Sequence, residues 1–221
     1  MISIAIDGPA GAGKSTLAKR LARELGFVYV DTGALYRAVA FGVLQNNINI
    51  GDETELQKYL GTVTVEIRYK NGEQRVLLNG EDVSDKIRTP EISLEASRCS
   101  ALSPTRAFLL ELQRELSRKH NVIMDGRDIG TVVLPNATLK IFLSASPEER
   151  ARRRFDELKA KGEKVTYEDV LSDMKQRDYN DTHRKIAPLK RAADAVDFNN
   201  SGDSVEQSVE KLMKIIKGVI K

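Results

Sequence analysis

Eight residues near the start of the chain, Gly8-Pro9-Ala10-Gly11-Ala12-Gly13-Lys14-Ser15, decide most of what it can fold into. They match the spacing GxxxxGK[ST] and stand in the context that this spacing needs, after a strand and before a helix. Ahead of them Ile2-Ser3-Ile4-Ala5-Ile6-Asp7 is short, apolar and β-branched, which predicts a buried strand meeting a loop. Behind them Leu17, Leu21 and Leu25 recur every fourth residue beside Ala18 and Ala22. That period predicts a helix packed on a sheet, closed by Gly26. Residues 27–30 predict a second strand. Strand, loop, helix and strand make a βαβ unit, and a βαβ unit implies a parallel sheet. In the loop, glycines let successive backbone N–H groups converge on an anion, with the positive end of the helix dipole behind them. Lys14 then reaches the β- and γ-phosphates of a nucleoside triphosphate, and the Ser15 hydroxyl is a Mg²⁺ ligand.

Further along, the pattern changes. Thr62-Val63-Thr64-Val65-Glu66-Ile67-Arg68 alternates with period two, and a second strand-like run at 74–78 follows Asn71-Gly72. Asn-Gly between two such runs predicts an antiparallel hairpin. A hairpin does not belong in the middle of a parallel sheet, so residues from about 60 to 87 read as an insertion. The α/β rhythm then resumes: a helix over 106–120, a strand over 122–125, another over 139–143, and a charged helix over 147–161. A further helix marked by Val170, Leu171 and Met174, a last strand over 195–198 and a closing amphipathic helix complete it. The expected fold is therefore α/β, a P-loop parallel sheet flanked by helices, with an inserted antiparallel subdomain and a short lid.

Composition narrows the function. Lys and Arg number 35 against 32 Asp and Glu, a formal charge of +3. A chain-wide nucleic-acid or membrane surface needs one sign to dominate, so neither is expected as a partner. No stretch approaches the roughly 20 apolar residues of a membrane span. No signal-like segment opens the chain, and the one cysteine, Cys99, forms no internal disulfide. Both features point to the cytoplasm. A GTPase would carry a guanine-reading NKxD stretch, which is absent, and a motor would need a longer chain. What remains is a kinase for a small molecule. ATP and a phosphate acceptor together bring about six negative charges to one place, so several cations must converge there.

Arg37 follows the second strand, and Arg127 follows the strand that ends in Asp125, within Asp125-Gly126-Arg127-Asp128. Both are expected where parallel strands deliver ligands, at their C-terminal ends. Arg150 and Arg154 lie one turn apart on the charged helix, and Arg177, Asp181 and Arg184 form a stripe of alternating sign. Asp125 is a candidate to hold Mg²⁺ through water. The acceptor is already an oxyanion, so no general base is required.

These segments resemble bacterial cytidylate kinases, within the nucleoside monophosphate (NMP) kinase group. The resemblance spans the chain and rests on GPAGAGKST from Gly8, DTGALYR from Asp31 and DGRDIGTVVLPNA from Asp125. KIFLSASPEERARRR from Lys140 and QRDYNDTHRKIAPL from Gln176 complete it. It implies transfer of a phosphoryl group from ATP to CMP or dCMP with Mg²⁺, by a monomer. It assigns residues 8–16, namely Gly8, Pro9, Ala10, Gly11, Ala12, Gly13, Lys14, Ser15 and Thr16, to ATP. Arg150 would lie over the ATP base, and Arg154 would be a lid arginine reaching the transferring phosphate. Thr32, Tyr36 and Arg37 match the acceptor-binding segment, and Ser97, Arg106 and Asp128 the positions that read cytosine. Arg127 and Arg177 match phosphate clamps, while Asp181 and Arg184 match positions near the ribose. The implied division is a core of 1–37, 88–149 and 166–221, an NMP-binding subdomain at 38–87 and a lid at 150–165. The alternative is a P-loop kinase for another small acceptor such as UMP or shikimate.

Overall fold

The computed structural model describes residues 1–160 and 162–220, so Lys161, within the expected lid, lies outside the described residues. The chain divides into two compact units, Met1–Tyr29 with Lys119–Lys221, and Val30–Arg118.

The first unit is built on the sheet that the opening βαβ pattern demands. Its strands are β1 (Ser3–Asp7), β6 (Val122–Gly126), β7 (Leu139–Ser144) and β8 (Val196–Asn199), with the start of β2 (Val28–Asp31) at one edge. Their order is β2-β6-β1-β7-β8. β1 pairs in parallel with β6 and β7, and β7 with β8. The register sets Ile6 opposite Asp125 and Asp7 opposite Gly126, so two carboxylates close adjacent strands one step apart, on opposite faces of the sheet. Helices α1 (Lys14–Leu25) and α8 (Val205–Val219) cover the sheet with Leu17, Leu21, Leu212 and Ile216 against Ile4, Ile6, Ile141 and Leu143. A second cluster joins α6 (Pro147–Ala160) to α7 (Tyr167–His183) through Ala151, Leu158, Val170 and Met174, and it includes Ala10 of the glycine-rich loop. The Ala10 methyl contributes only about 0.8 kcal/mol by burial, but its place in this cluster sets the loop against the helix pair as well as the sheet.

The second unit holds α2 (Thr32–Gln45), α3 (Glu53–Leu60), α4 (Pro90–Cys99) and nearly all of α5 (Ser103–Lys119). The hairpin is present as β3 (Val65–Lys70) and β4 (Glu73–Leu78), joined at Asn71-Gly72, where both φ angles are positive. A short third strand, β5 (Glu81–Asp82), extends it into an antiparallel sheet. Its two residues are too few to leave an alternating pattern in the sequence. Leu35, Val39, Val76, Leu78, Val83 and Ile87 lie in the unit's core, so the sheet packs on α2 instead of standing free. Among the described residues, no helix is long and apolar enough to cross a membrane.

Candidate active site

In the first unit the glycine-rich loop leaves β1 and enters α1. Gly8 has φ 155°, and a Cβ there would sit 2.0 Å from the Leu143 carbonyl oxygen on β7. Gly13, the N-cap of α1, has φ 87°. Neither position accepts an L side chain without strain, which explains the glycines where the strand turns into the helix. Lys14 is buried and donates to the Pro9 carbonyl at 2.7 Å, so its ammonium folds back across the loop. Burial draws its pKa down to about 7, and the Arg127 charge adds to this against Asp125, Asp181 and Asp7. The lysine is thus held among unlike and like charges at a position ready for an anion.

Ser15, exposed at the start of α1, donates to Asp125 Oδ2 at 2.8 Å, and the Tyr29 hydroxyl donates to Asp125 Oδ1 at 2.9 Å. A hydroxyl and a carboxylate from adjacent elements form a hard oxygen set, the donor type that suits Mg²⁺. Asp7, the carboxylate that closes β1, accepts from Ile129 and Gly130 N–H, both at 2.7 Å. These bonds fix the single π-helical turn Ile129–Val133 that follows Arg127 and Asp128. Burial pushes the Asp7 carboxyl up to about 6, partly offset by those two backbone donors.

Two further cations near the end of β6 are held in pairs. Arg127 Nε donates to Asp181 Oδ2 at 2.8 Å, and Arg184 Nη2 to Asp128 Oδ1 at 3.1 Å. Burial works against the Asp181 charge, but Arg127, Arg184 and Arg177 hold its carboxyl below the usual range. The stripe on α7 therefore faces the end of β6, and Lys14, Asp125, Arg127, Asp128, Asp181 and Arg184 come together with Arg177 beside them. Arg154 pairs instead with Glu157 on its own helix at 2.9 Å. Arg150 is buried: Nη1 donates to the Ala10 carbonyl at 2.9 Å, Nε to Ala145 at 3.0 Å and Nη2 to Asp178 at 2.7 Å. All three nitrogens are engaged beneath the loop, and the guanidinium grips loop backbone.

In the second unit, Asp31 caps α2 by accepting from Ala34 N–H at 2.9 Å and holds Arg37 Nη2 at 3.0 Å. Gln74 of β4 clamps the Asp31 backbone from both sides, accepting from its N–H at 2.8 Å and donating to its carbonyl at 3.2 Å. Arg37 Nε is buried and meets no hydrogen-bond acceptor among the described residues. Tyr36 lies under the Arg106 guanidinium at 5.7 Å, and Arg106 Nη1 donates to the Ser100 carbonyl at 3.1 Å. Thr32 is buried at the first turn of α2, and Ser97 is half-buried on α4. Asp7, Tyr29, Asp31, Gln74 and Asp178 escaped the sequence reading. Asp7 and Asp31 left a signal, as carboxylates ending short apolar strands just as Asp125 does; Tyr29, Gln74 and Asp178 act across distances that spacing does not encode.

The comparisons with known proteins agree with this layout. A family model described as cytidylate kinase matches residues 4–218. The cytidylate kinase of Caldicellulosiruptor bescii is 50% identical over 220 residues, covering 100% of this chain and 97% of that protein. That of Carboxydothermus hydrogenoformans is 51% identical over 213 residues, covering 96% of each. Among solved structures, an uncharacterized protein from Eubacterium ventriosum aligns over 98% of this chain and 99% of its own with a TM-score of 0.53 at 13% identity, a likeness of fold alone. With a phosphate loop on β1, charged pairs at the end of β6 and full-length relatives at half identity, the chain belongs to the cytidylate kinase family.

Proposed function

We propose that this chain transfers the γ-phosphoryl group of ATP to CMP and dCMP, releasing ADP with CDP or dCDP. The observation that carries the reading is the gathering of Lys14, Arg127, Arg177 and Arg184 around Asp125, Asp128 and Asp181 at the end of the phosphate loop. Residues 8–16 hold the ATP phosphates, with Lys14 on the transferring group, and Arg150 serves that site by gripping the loop. Arg154 reaches the transferring phosphate from the lid. Arg37, Arg127 and Arg177 neutralise the acceptor phosphate, and the buried Arg37 Nε supports this as a donor awaiting an oxyanion. Thr32 and Tyr36 shape the acceptor segment. Ser97, Arg106 and Asp128 read the cytosine edge, and Asp181 and Arg184 meet the ribose.

Ser15 and Asp125 are the residues that would hold Mg²⁺, which offsets phosphate charge when bound. The chain's own contribution is then alignment and charge stabilisation: donors fixed before the reaction need no reorganisation during it. The acceptor oxygen arrives ionised, so no side chain has to remove a proton. Segments 38–87 and 150–165, as acceptor subdomain and lid, exclude water that would otherwise hydrolyse ATP. Cys99, buried with its thiol pushed up to about 12, suits a reducing cytoplasm.

Coupled ADP release measured with CMP, dCMP, UMP, AMP and shikimate tests the assignment. CMP and dCMP are expected to exceed every other acceptor by about tenfold or more in kcat/KM, the discrimination available when buried polar groups are left unpaired by a wrong base. UMP or shikimate turned over as well as CMP would overturn it.

A further inference from the structure

We propose that Asn200, in the turn after β8, is a positioning residue for the phosphate loop, fixing the loop's geometry from behind so that its N–H groups stay trained on ATP. The inference rests on the loop's assignment to ATP phosphates. A glycine-rich loop can offer N–H groups to an anion only if its carbonyls are occupied elsewhere, because each unpaired buried carbonyl costs free energy and invites the peptide to flip. Three carbonyls of the loop are captured here by side chains. Pro9 O accepts from Lys14, Ala10 O from Arg150 and Ala12 O from Asn200 Nδ2 at 3.0 Å. Of these donors, Asn200 is the one that belongs to no sequence motif, and it lies 188 residues from its partner.

The side chain is placed for this task and little else. Asn200 is 4% exposed, and its Oδ1 is buried with no hydrogen-bond partner among the described residues. An amide that satisfies one loop carbonyl while leaving its own oxygen unpaired is a poor stabiliser of the fold, which favours a positioning role over a structural one. Its backbone is held on two sides, donating to the Ser144 carbonyl at 3.1 Å and accepting from Arg153 Nη2 at 3.4 Å. Arg153 in turn pairs with Glu149 at 2.7 Å, and Glu149 accepts from Gly202 N–H at 3.2 Å. Helix α6 thus grips the loop directly through Arg150 and indirectly through Asn200. The Asn200 amide also lies 3.4 Å from where a Cβ on Gly13 would fall, which places it against the last loop residue before α1.

The test is the isosteric Asn200→Asp, which sets an oxygen against the Ala12 carbonyl, beside Asn200→Leu, which removes both the donor and the orphan oxygen. ATP KM, CMP KM, kcat, acceptor discrimination and melting temperature are measured for parent and variants. Both variants are expected to raise ATP KM about tenfold or more, shift CMP KM less than twofold and leave the ranking of acceptors unchanged. Asn200→Leu is expected to melt within a few degrees of the parent, since the two unpaired groups offset. Unchanged ATP KM in both variants, or equal rises for ATP and CMP, would overturn the positioning role. A parent that fails to turn over CMP would instead count against the proposed function, so the two failures are distinguishable.

Discussion

Lys14→Ala lowers kcat about a thousandfold while the protein stays folded. The expectation follows from where the ammonium sits. It is buried among Arg127, Asp125, Asp181 and Asp7, and its own pKa is drawn down chiefly by burial, so in the free protein it is poorly solvated and poorly neutralised. An arriving triphosphate supplies the missing counter-charge, and the charge that develops on the transferring group is met by a donor already in place. Removing one such donor from a site shielded from water costs about 3–4 kcal/mol, a factor of about 10²–10³ in rate. Lys14→Met keeps the stem and its packing, so it separates lost charge from lost volume. Steady-state ADP release for both variants, with melting curves alongside, checks the point. A variant that keeps a tenth or more of parental kcat would show that Lys14 is not on the transferring phosphate.

Asp128→Ala is the second large effect, and it shows in two readouts. The Asp128 and Arg184 side chains are 7% and 6% exposed, and their ion pair is 3.1 Å long. Truncating one partner of a buried pair takes from the other its nearest counter-charge, a change that costs up to about 3–5 kcal/mol. For a chain of this size that corresponds to a fall of roughly 10 °C in melting temperature. The CMP requirement is expected to rise about a hundredfold, and the preference for CMP over UMP to shrink, while ATP KM stays within about twofold. Asp128→Asn retains the shape and one acceptor and is expected to fall between the two. The acceptor panel and thermal melts decide it. An Asp128→Ala enzyme that treats every acceptor as the parent does removes Asp128 from base reading and leaves it a purely structural partner of Arg184.

The parts of this fold legible in the sequence are those set by local chemistry. The glycine spacing before Lys14 placed β1, the loop and α1 correctly because positive φ and close approach to Leu143 admit little else. Asn71-Gly72 placed the hairpin turn for the same reason. The helices α3 and α4 were not delineated, although Asp52 and Thr89 cap them. Both are short, and their apolar faces are completed by tertiary contacts, so the period is weak in the sequence. The candidate site divides in the same way. Lys14, Ser15 and Arg127 sit where motif spacing and strand ends carry their chemistry, and Asp128 is marked by the family resemblance. Asn200, Gln74 and Asp178 act through contacts between distant segments, and sequence distance hides them. The direction of Arg150 was equally hidden: periodicity puts it on a face of α6, but only packing of α6 against α7 turns that face toward the Ala10 carbonyl.

The central claim is that transfer runs on charge placement, with no proton taken from the acceptor by the protein. The pH dependence of kcat with saturating ATP and CMP, followed from pH 7 to 9, tests it most directly. A phosphate monoester with a second pKa near about 6 is already ionised across that range, and the bound triphosphate restores the Lys14 ammonium that burial draws down in the free protein, so kcat is expected to stay level within about twofold. A climb of about tenfold per pH unit would reveal an essential deprotonation and contradict the account.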